Sequence, residues 1–442
     1  MAPVLAAAAG SLLWASQASA DPFSLFGFGP QGVANVGAVA ARADDGTASY
    51  YNPGGLALGQ GYHVELGALY TLSGLKAQGH VVDLSDPAGV TIAFDGDVPL
   101  TGPLAKVLRF GYGGYVLPDK LMQLGTPARG DPVFPYYDNR SQRLVVLPAL
   151  GVRLTDWLGI GAAANFFAGV SGPSRLGHGP GNALEERIDQ DAKSALSAIV
   201  GIQARTADGL RLGLVYHQQF ASPNLTRTES DVGGVPLVVN VDMKQAFFTP
   251  DTFVLAASSR PARSMSIELD LAYERWSAYR GPSMTADATL PGVGLSSREA
   301  PHLWRDIWTL RGGASYRFSV GTKHDLFLHA GAGFEPSVQK SLQQGETNLL
   351  DGDKVLVGLG GTLVLHNVLP NTLRLGLGVQ IQQLGSSSQD KRVCPARGQC
   401  QLDQVWGKDP DHPSADIDNP GYPTLHGSGS VWAFAASVGV DL

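Results

Sequence analysis

The feature that most restricts this chain is an alternation of apolar and polar residues with a period of two, sustained over long stretches and repeated along the sequence. From Met265 to Trp276 the odd positions Met265, Ile267, Leu269, Leu271 and Tyr273 are apolar, while Ser266, Glu268, Asp270 and Glu274 fall between them. From Trp308 to Phe318 the even positions Trp308, Leu310, Gly312, Ala314, Tyr316 and Phe318 are apolar or small, and Thr309, Arg311, Ser315 and Arg317 face the other way. The pattern returns in Tyr62, Val64, Leu66, Ala68, Tyr70 and Leu72, in Leu373, Leu375, Leu377, Val379 and Ile381, and in Trp432, Phe434, Ala436, Val438, Val440 and Leu442. Successive side chains of a strand point to opposite faces, so each stretch reads as a strand with one apolar and one polar face.

Strands of roughly ten or more residues of this kind suit a membrane barrel, because closure leaves no backbone group unpaired in lipid; a soluble sandwich uses shorter strands. Composition agrees, with 56 glycines and only 16% charged residues. Beyond the N-terminus no run of about 18 apolar residues exists, which excludes an ordinary helical membrane protein. Tight connections fall at Thr155-Asp156, Ala207 to Gly209, Pro261 to Arg263, Val320 to Lys323 and Asn367 to Asn371. Long loops rich in Gly, Pro and Asp separate them, near 119–140, 173–190, 223–235, 280–302, 336–352 and 385–428. Short periplasmic turns opposite long external loops are the outer-membrane pattern.

Under that rule about fourteen strands are expected, beginning near Tyr62, Val90, Leu104, Ser141, Leu158, Lys193, Leu210, Val238, Ser264, Leu303, Asp325, Lys354, Asn371 and Ser428. The predicted fold is all-β, a 14-stranded antiparallel transmembrane β-barrel over 61–442, plugged by a small N-terminal hatch over 21–60. Residues 1–20 read as a signal peptide, an apolar run from Val4 to Trp14 followed by Ala18-Ser19-Ala20, although no Lys or Arg precedes the run. The expected location is the outer membrane of a Gram-negative bacterium, as a multi-pass, monomeric barrel in contact with outer-membrane lipid and lipopolysaccharide. A net charge of −7 without a basic cluster argues against nucleic acid as a partner. Cys394 and Cys400, the two cysteines, are six apart; in an oxidising compartment that spacing favours a local disulfide, the alternative being two free thiols. No cofactor or metal site is expected, since zinc spacing, P-loop and nucleophile elbow are all missing from the sequence. The Gly27-x-Gly29-x-x-Gly32 match follows no strand and contains Pro30, so it predicts no dinucleotide fold. Asp409, Asp411, Asp416 and Asp418 with His412 read as a solvated acidic loop more readily than as a calcium site.

Residues 21–60 do not alternate. The stretch Ala43-Asp44-Asp45-Gly46-Thr47-Ala48-Ser49-Tyr50-Tyr51-Asn52-Pro53-Gly54-Gly55-Leu56-Ala57 resembles the hatch signature of the FadL/TodX family. Two downstream matches follow in the family's order. Thr249-Pro250-Asp251-Thr252 leads to Leu269 through Ser277, and Trp308-Thr309-Leu310-Arg311 leads to Phe334-Glu335-Pro336-Ser337-Val338. The resemblance covers essentially the whole mature chain. It implies passive transport of a hydrophobic ligand, a long-chain fatty acid or aromatic hydrocarbon, captured near the external loops, held above the hatch and released sideways through the third strand. Gly54 stands where the signature has Ala, which loosens the backbone, and Leu442 stands where the family ends in an aromatic residue.

Several residues become candidates. Asn52, Pro53 and Gly54 would fix the hatch against the wall; Asp44 and Asp45 would cap a short helix or pair with a lumen Arg. Gly111, Gly113, Gly114 and Pro118 mark the third strand as a place where the wall could open, or are simply glycines of a tightly packed barrel. Phe23, Phe26 and Phe28 are candidate ligand or plug contacts. Alternation puts Glu268, Asp270, Glu274, Arg311, Arg317 and Arg374 in the lumen, where Arg311 or Arg317 could receive a ligand carboxylate; the plainer alternative is that these charges pair with one another. Two other functions compete: a polar-solute porin, which needs an open lumen, and an outer-membrane lipid hydrolase, for which His63 alone is placed on a strand but without a neighbouring Ser.

Overall fold

Alternation becomes fourteen antiparallel strands in the computed structural model, joined edge to edge in one closed ring. The described residues are 22–82, 84, 86–102, 106–118, 132–137, 144–178, 184–188, 191–232, 235–279, 284–290, 293–296, 304–321, 323–339, 349–368, 371–390 and 424–442. The leader over 1–20, the pair Cys394 and Cys400 and the acidic stretch from Asp409 to Asp418 lie outside them. The strands are β1 (His63–Ser73), β2 (Ala88–Asp97), β3 (Leu108–Val116), β4 (Val145–Arg153), β5 (Leu158–His178), β6 (Asp191–Arg205) and β7 (Arg211–His217). They continue as β8 (Thr252–Ala262), β9 (Met265–Glu274), β10 (Ile307–Val320), β11 (His324–Glu335), β12 (Lys354–Val368), β13 (Asn371–Asp390) and β14 (Thr424–Asp441). Each pairs with the next, and β1 closes on β14 from His63↔Asp441 to Ser73↔Val431.

The apolar face of each strand points out. Leu66, Leu214, Leu255, Leu269, Leu359, Leu377 and Val438 are exposed side by side around the ring, a surface that water would penalise at about 25 cal/mol per Å². Aromatic pairs bound this belt. Tyr273 packs on Trp308 (ring centroids 5.0 Å) and Tyr216 on Phe253 (4.8 Å) at the long-loop end; Tyr316 and Phe318 (4.5 Å) lie near the short-turn end. Trp308 and Phe318 are ten positions apart on one strand, which at ~3.4 Å per residue and a tilt of ~40° gives a band of roughly 25 Å, the height of a bilayer-spanning barrel.

One expected wall strand is misplaced. The stretch beginning near Val238 lies in a second, external sheet, where Val235–Thr249 pairs with Phe220–Val232 and, on its other edge, with Met284–Leu290. The wall strand there is β8, which starts only after Pro250 and Asp251. Period-two alternation continues through both elements, so it could not separate them; the change of course is made by Pro250, which has no N–H for a ladder, and by Asp251. The Asp251 carboxylate accepts from Tyr216 Oη at 2.7 Å, from the Gln219 amide at 2.8 Å and from Arg275 Nη1 at 3.2 Å, which fastens the junction between wall and external sheet.

Candidate functional site in the barrel lumen

The stretch before β1 forms four short helices, α1 (Pro22–Phe26), α2 (Gly29–Ala34), α3 (Ala48–Tyr51) and α4 (Pro53–Leu56). Prolines at the first turns of α2 and α4 fit positions whose N–H would be unused, and each helix is too short to stand alone. Of residues 22–60 only Gln31 and Gln60 are exposed. Helix α2 packs on the inner faces of β11 to β14 and β1, and α4 on those of β3 to β6, so the segment lies inside the ring and touches opposite walls.

A segment with so little regular structure leaves many backbone groups to satisfy. The polar faces of the strands satisfy them. Arg153 donates to the carbonyls of Ala57 (2.7 Å) and Gly59 (3.0 Å), Arg205 to Leu58 (3.2 Å), Arg109 to Gly61 (2.9 Å) and Arg211 to Arg42 (3.1 Å). Gln203 and Gln382 donate to the carbonyls of Ala41 and Leu25. In the other direction, Glu268 accepts from the Ala41 amide (2.6 Å) and from Arg42 Nε (2.6 Å), and Asp270 from the Ala40 amide (3.3 Å).

Asn52 is fully buried and joins three partners. Its Nδ2 donates to Ala40 O (2.9 Å) and to Ile202 O of β6 (3.1 Å), while its Oδ1 caps α4 by accepting from Gly54 N (3.1 Å). Gly54 follows so close to the wall that a Cβ would lie 2.7 Å from Gly201 O and 2.9 Å from Gln203 N. The departure from Ala at this position is therefore a matter of clearance more than of backbone freedom. The two aspartates divide the roles offered to them: Asp45 Oδ1 accepts from Thr47 N (3.0 Å) and Thr47 Oγ1 (2.6 Å) at the turn leading into α3, and Asp44 pairs with Arg211 (2.9 Å).

Between this segment and the long-loop end lies a cavity of about 80 Å³, lined among others by Tyr50, His217, Thr249, Asp270, Glu274 and Thr309. Residues 132–137 and the ends of neighbouring loops cover it with rings: Tyr136 packs against Trp276 (5.7 Å), Trp276 against Phe248 (5.5 Å), and Tyr279 against Trp304 (4.6 Å). On the short-turn side of the segment is a wider cavity of about 330 Å³, whose walls carry Arg42, Asp44, Asp45, Glu65, Arg211 and Arg374.

Phe23, Phe26 and Phe28 are all buried; Phe23 stacks on Phe28 (4.0 Å) and meets Tyr50 and Tyr115 edge-on (5.6 and 6.1 Å). Gly111 and Gly113 face inward, where a Cβ would come within 2.7 Å of Leu56 and of Phe28 respectively; Gly114 faces outward beside Tyr112, and Pro118 lies beyond the strand. Strand β3 is paired on both edges along its length; the ladder that skips is between β4 and β5, where the register passes from Val146↔Phe166 to Ala149↔Ala163 across Leu147 and Pro148. Arg311 binds Glu335 and reaches the upper cavity, whereas Arg317 forms a bidentate pair with Asp325 (2.8 Å twice) next to the short turn.

The downstream motifs gain roles that the sequence reading had not assigned. Arg275 pairs with Asp251 and Arg311 with Glu335, so each motif's two distant halves meet by an ion pair at the long-loop end. The arginines 109, 153, 205 and 211 were likewise overlooked; their signal is that each stands on the inward face within one or two residues of a short-turn strand end. His63 pairs with Asp95 (3.0 Å). A Ser–His contact exists elsewhere, Ser315 Oγ to His329 Nδ1 (2.8 Å), but Arg42 donates to that Ser Oγ (3.0 Å) and His329 Nε2 meets Thr362 Oγ1 (3.0 Å), so a hydroxyl stands where a triad would have a carboxylate.

No family model matches the chain. In sequence it is similar to alkane uptake protein A of Marinobacter nauticus, 24% identical over 405 residues that make up 81% of this chain and 83% of that protein. In structure it is similar to a FadL homologue of Pseudomonas aeruginosa, with a TM-score of 0.56 at 14% identity over 94% of this chain and 98% of that one. It is also similar to the Pseudomonas putida toluene transporter TodX, with a TM-score of 0.55 at 13% identity over 95% and 99%. A closed ring of fourteen strands around an inward-folded N-terminal segment, matched over nearly the full length of these proteins, makes the chain by fold a FadL/TodX-type barrel.

Proposed function

We propose that the chain is a passive outer-membrane channel for hydrophobic small molecules, with residues 21–60 as a hatch that closes the lumen to ions and polar solutes. The observation that carries this reading is the density of hydrogen bonds between strand side chains and the segment, from Arg109, Arg153, Arg205 and Arg211 on one side to Glu268 and Asp270 on the other. A porin would leave those groups to line water. Relatives named for alkane and toluene uptake support a neutral hydrocarbon as cargo, with a long-chain fatty acid as the alternative.

In this scheme ligand enters under the aromatic cover, rests in the upper cavity beside Tyr50 and Tyr51, and leaves through the wall. The lower cavity carries arginines and acidic groups among its walls, and an apolar cargo would forfeit about 0.8 kcal/mol per CH₂ by crossing it in water. A sideways exit beside β3 keeps the cargo in an apolar setting, and the interruption at Leu147 and Pro148 in the adjoining ladder is the weakest pairing there. Asn52 would hold the hatch closed, and the long-loop end would face lipopolysaccharide.

The test is uptake of a labelled alkane or toluene by cells lacking their own channels, with planar-bilayer conductance of the purified chain alongside. Selective uptake with little ion current is expected. A large steady current without hydrocarbon selectivity would sink the proposal in favour of a porin.

A further inference from the structure

The upper cavity has polar walls for a hydrocarbon path. Asp270 is only 5% exposed; its Oδ2 accepts from Ala40 N, and its carboxyl also lies within hydrogen-bond reach of the Glu268 carboxyl. Thr309 on β10 is fully buried, and its Oγ1 lacks a partner, as does Oγ1 of Thr249. All three residues line the same 80 Å³ space. Buried polar atoms are normally satisfied, so two unmet hydroxyls on one cavity, those of Thr309 and Thr249, point to something that enters it.

The charges narrow what that is. Glu274, which accepts from Trp276 Nε1 (2.8 Å), lines the cavity with Asp270, and Arg311, the cation of the lining, is already held by Glu335 through two of its nitrogens. An entering carboxylate would face two acidic side chains with its natural partner engaged, and an ammonium would face Arg311. An alcohol meets neither objection. Its oxygen can accept from the hydroxyl of Thr309 or from that of Thr249, and its O–H can donate to an acidic group of the lining. The space suits a head: one water needs about 10–15 Å³ of cavity, so 80 Å³ holds a hydroxyl and the first carbons, with Ile199, Val254 and Ala272 of the same lining left for the chain.

We propose that this cavity is a headgroup subsite that selects an uncharged hydroxylated amphiphile, an aliphatic or aromatic alcohol, over the carboxylate of the same skeleton. The inference rests on the channel reading and adds a preference to it. The test measures equilibrium binding of 1-decanol, decane and decanoate to the full chain in lipid nanodiscs, with Thr309→Val as the variant. Decanol is expected to bind more tightly than decanoate by about tenfold or more, and more tightly than decane by several-fold. Thr309→Val, isosteric and losing no hydrogen bond within the protein, should remove most of the preference for decanol over decane while leaving decane binding in place. Equal binding of decanol and decane, unchanged by Thr309→Val, overturns the subsite and leaves the hydrophobic channel standing. Tightest binding of decanoate also overturns it. Failure of all three to bind overturns the subsite together with the channel reading.

Discussion

Arg311 on β10 and Glu335 at the end of β11 form an ion pair inside the barrel, with Arg311 Nε 3.0 Å from Glu335 Oε1 and a second contact from Nη2. Tyr136, from the loop that folds into the long-loop end, donates to the other Glu335 oxygen, and the Lys354 ammonium sits 4.0 Å above the Tyr136 ring. The pair thus connects the wall to the cover. Removing one partner of a buried pair leaves a charge uncompensated, at about 3–5 kcal/mol. Glu335→Gln is expected to loosen the cover more than the ring: limited proteolysis should cut near residues 132–137 in the variant, while heat-modifiable mobility of the barrel on a gel stays close to wild type. Equal resistance of the two proteins at that loop would contradict the assignment.

Asn52→Ala removes the α4 cap and the donor for two buried carbonyls. At about 1 kcal/mol for each contact, the N-terminal segment should lose about 2–4 kcal/mol of local stability. Faster amide exchange over residues 40–57 and more frequent current openings in planar bilayers are expected. A variant as protected and as quiet as wild type would refute the anchoring role.

Gly54→Ala restores the residue of the hatch signature, yet the new Cβ would press on Gly201 O and Gln203 N, both backbone atoms of a paired strand. Overpacking of this kind costs about 1–3 kcal/mol. The substitution should lower the temperature at which residues 22–60 become protease-sensitive, whereas a rise would show that the backbone entropy of glycine outweighs the clash.

Asp306, just outside β10, accepts from Tyr273 Oη (2.7 Å) and Ser277 N (2.8 Å). Partial burial pushes its carboxyl up, but the Tyr273 and Ser277 hydrogen bonds outweigh this and hold it below the usual carboxylate range. A depressed pKa means that the contribution is fully present above the ordinary value of about 3.9 and is lost as pH falls through the lower folded value. Tryptophan emission should therefore shift red below about pH 4 as the 275–279 turn loosens around Trp276. Asp306→Asn should show no such acid step; an identical step in both proteins would assign it to another group.

The ring was legible in the sequence because a barrel wall is its own pattern: Met265 to Glu274 and Trp308 to Phe318 alternate with almost no exception. The error at Val238 has the same source, since Val235–Thr249 alternates as a wall strand does and only pairing partners reveal that it stands above the wall. In the lumen, local motifs singled out Asn52 and both aspartates, because the Asp45 turn and the Asn52 cap are made two residues away. The bonds from Asn52 to Ile202 and from Arg211 to Asp44 span 150 and 167 residues, and no local pattern announces them. The Arg311–Glu335 and Arg275–Asp251 pairs were not legible, because each is set by strand register across 24 residues. The glycines of β3 carried an ambiguous message for a similar reason: a missing side chain looks the same whether it permits a bend or makes room for Leu56 and Phe28.

The arginines that hold the carbonyls of residues 42–61 stand on β3, β4, β6 and β7, and the segment they hold runs directly into β1, the strand that seals the ring against β14. The bonds that fix the segment in the lumen therefore also tether the seam strand to four other strands, and the N-terminal residues act as an internal strut across the ring.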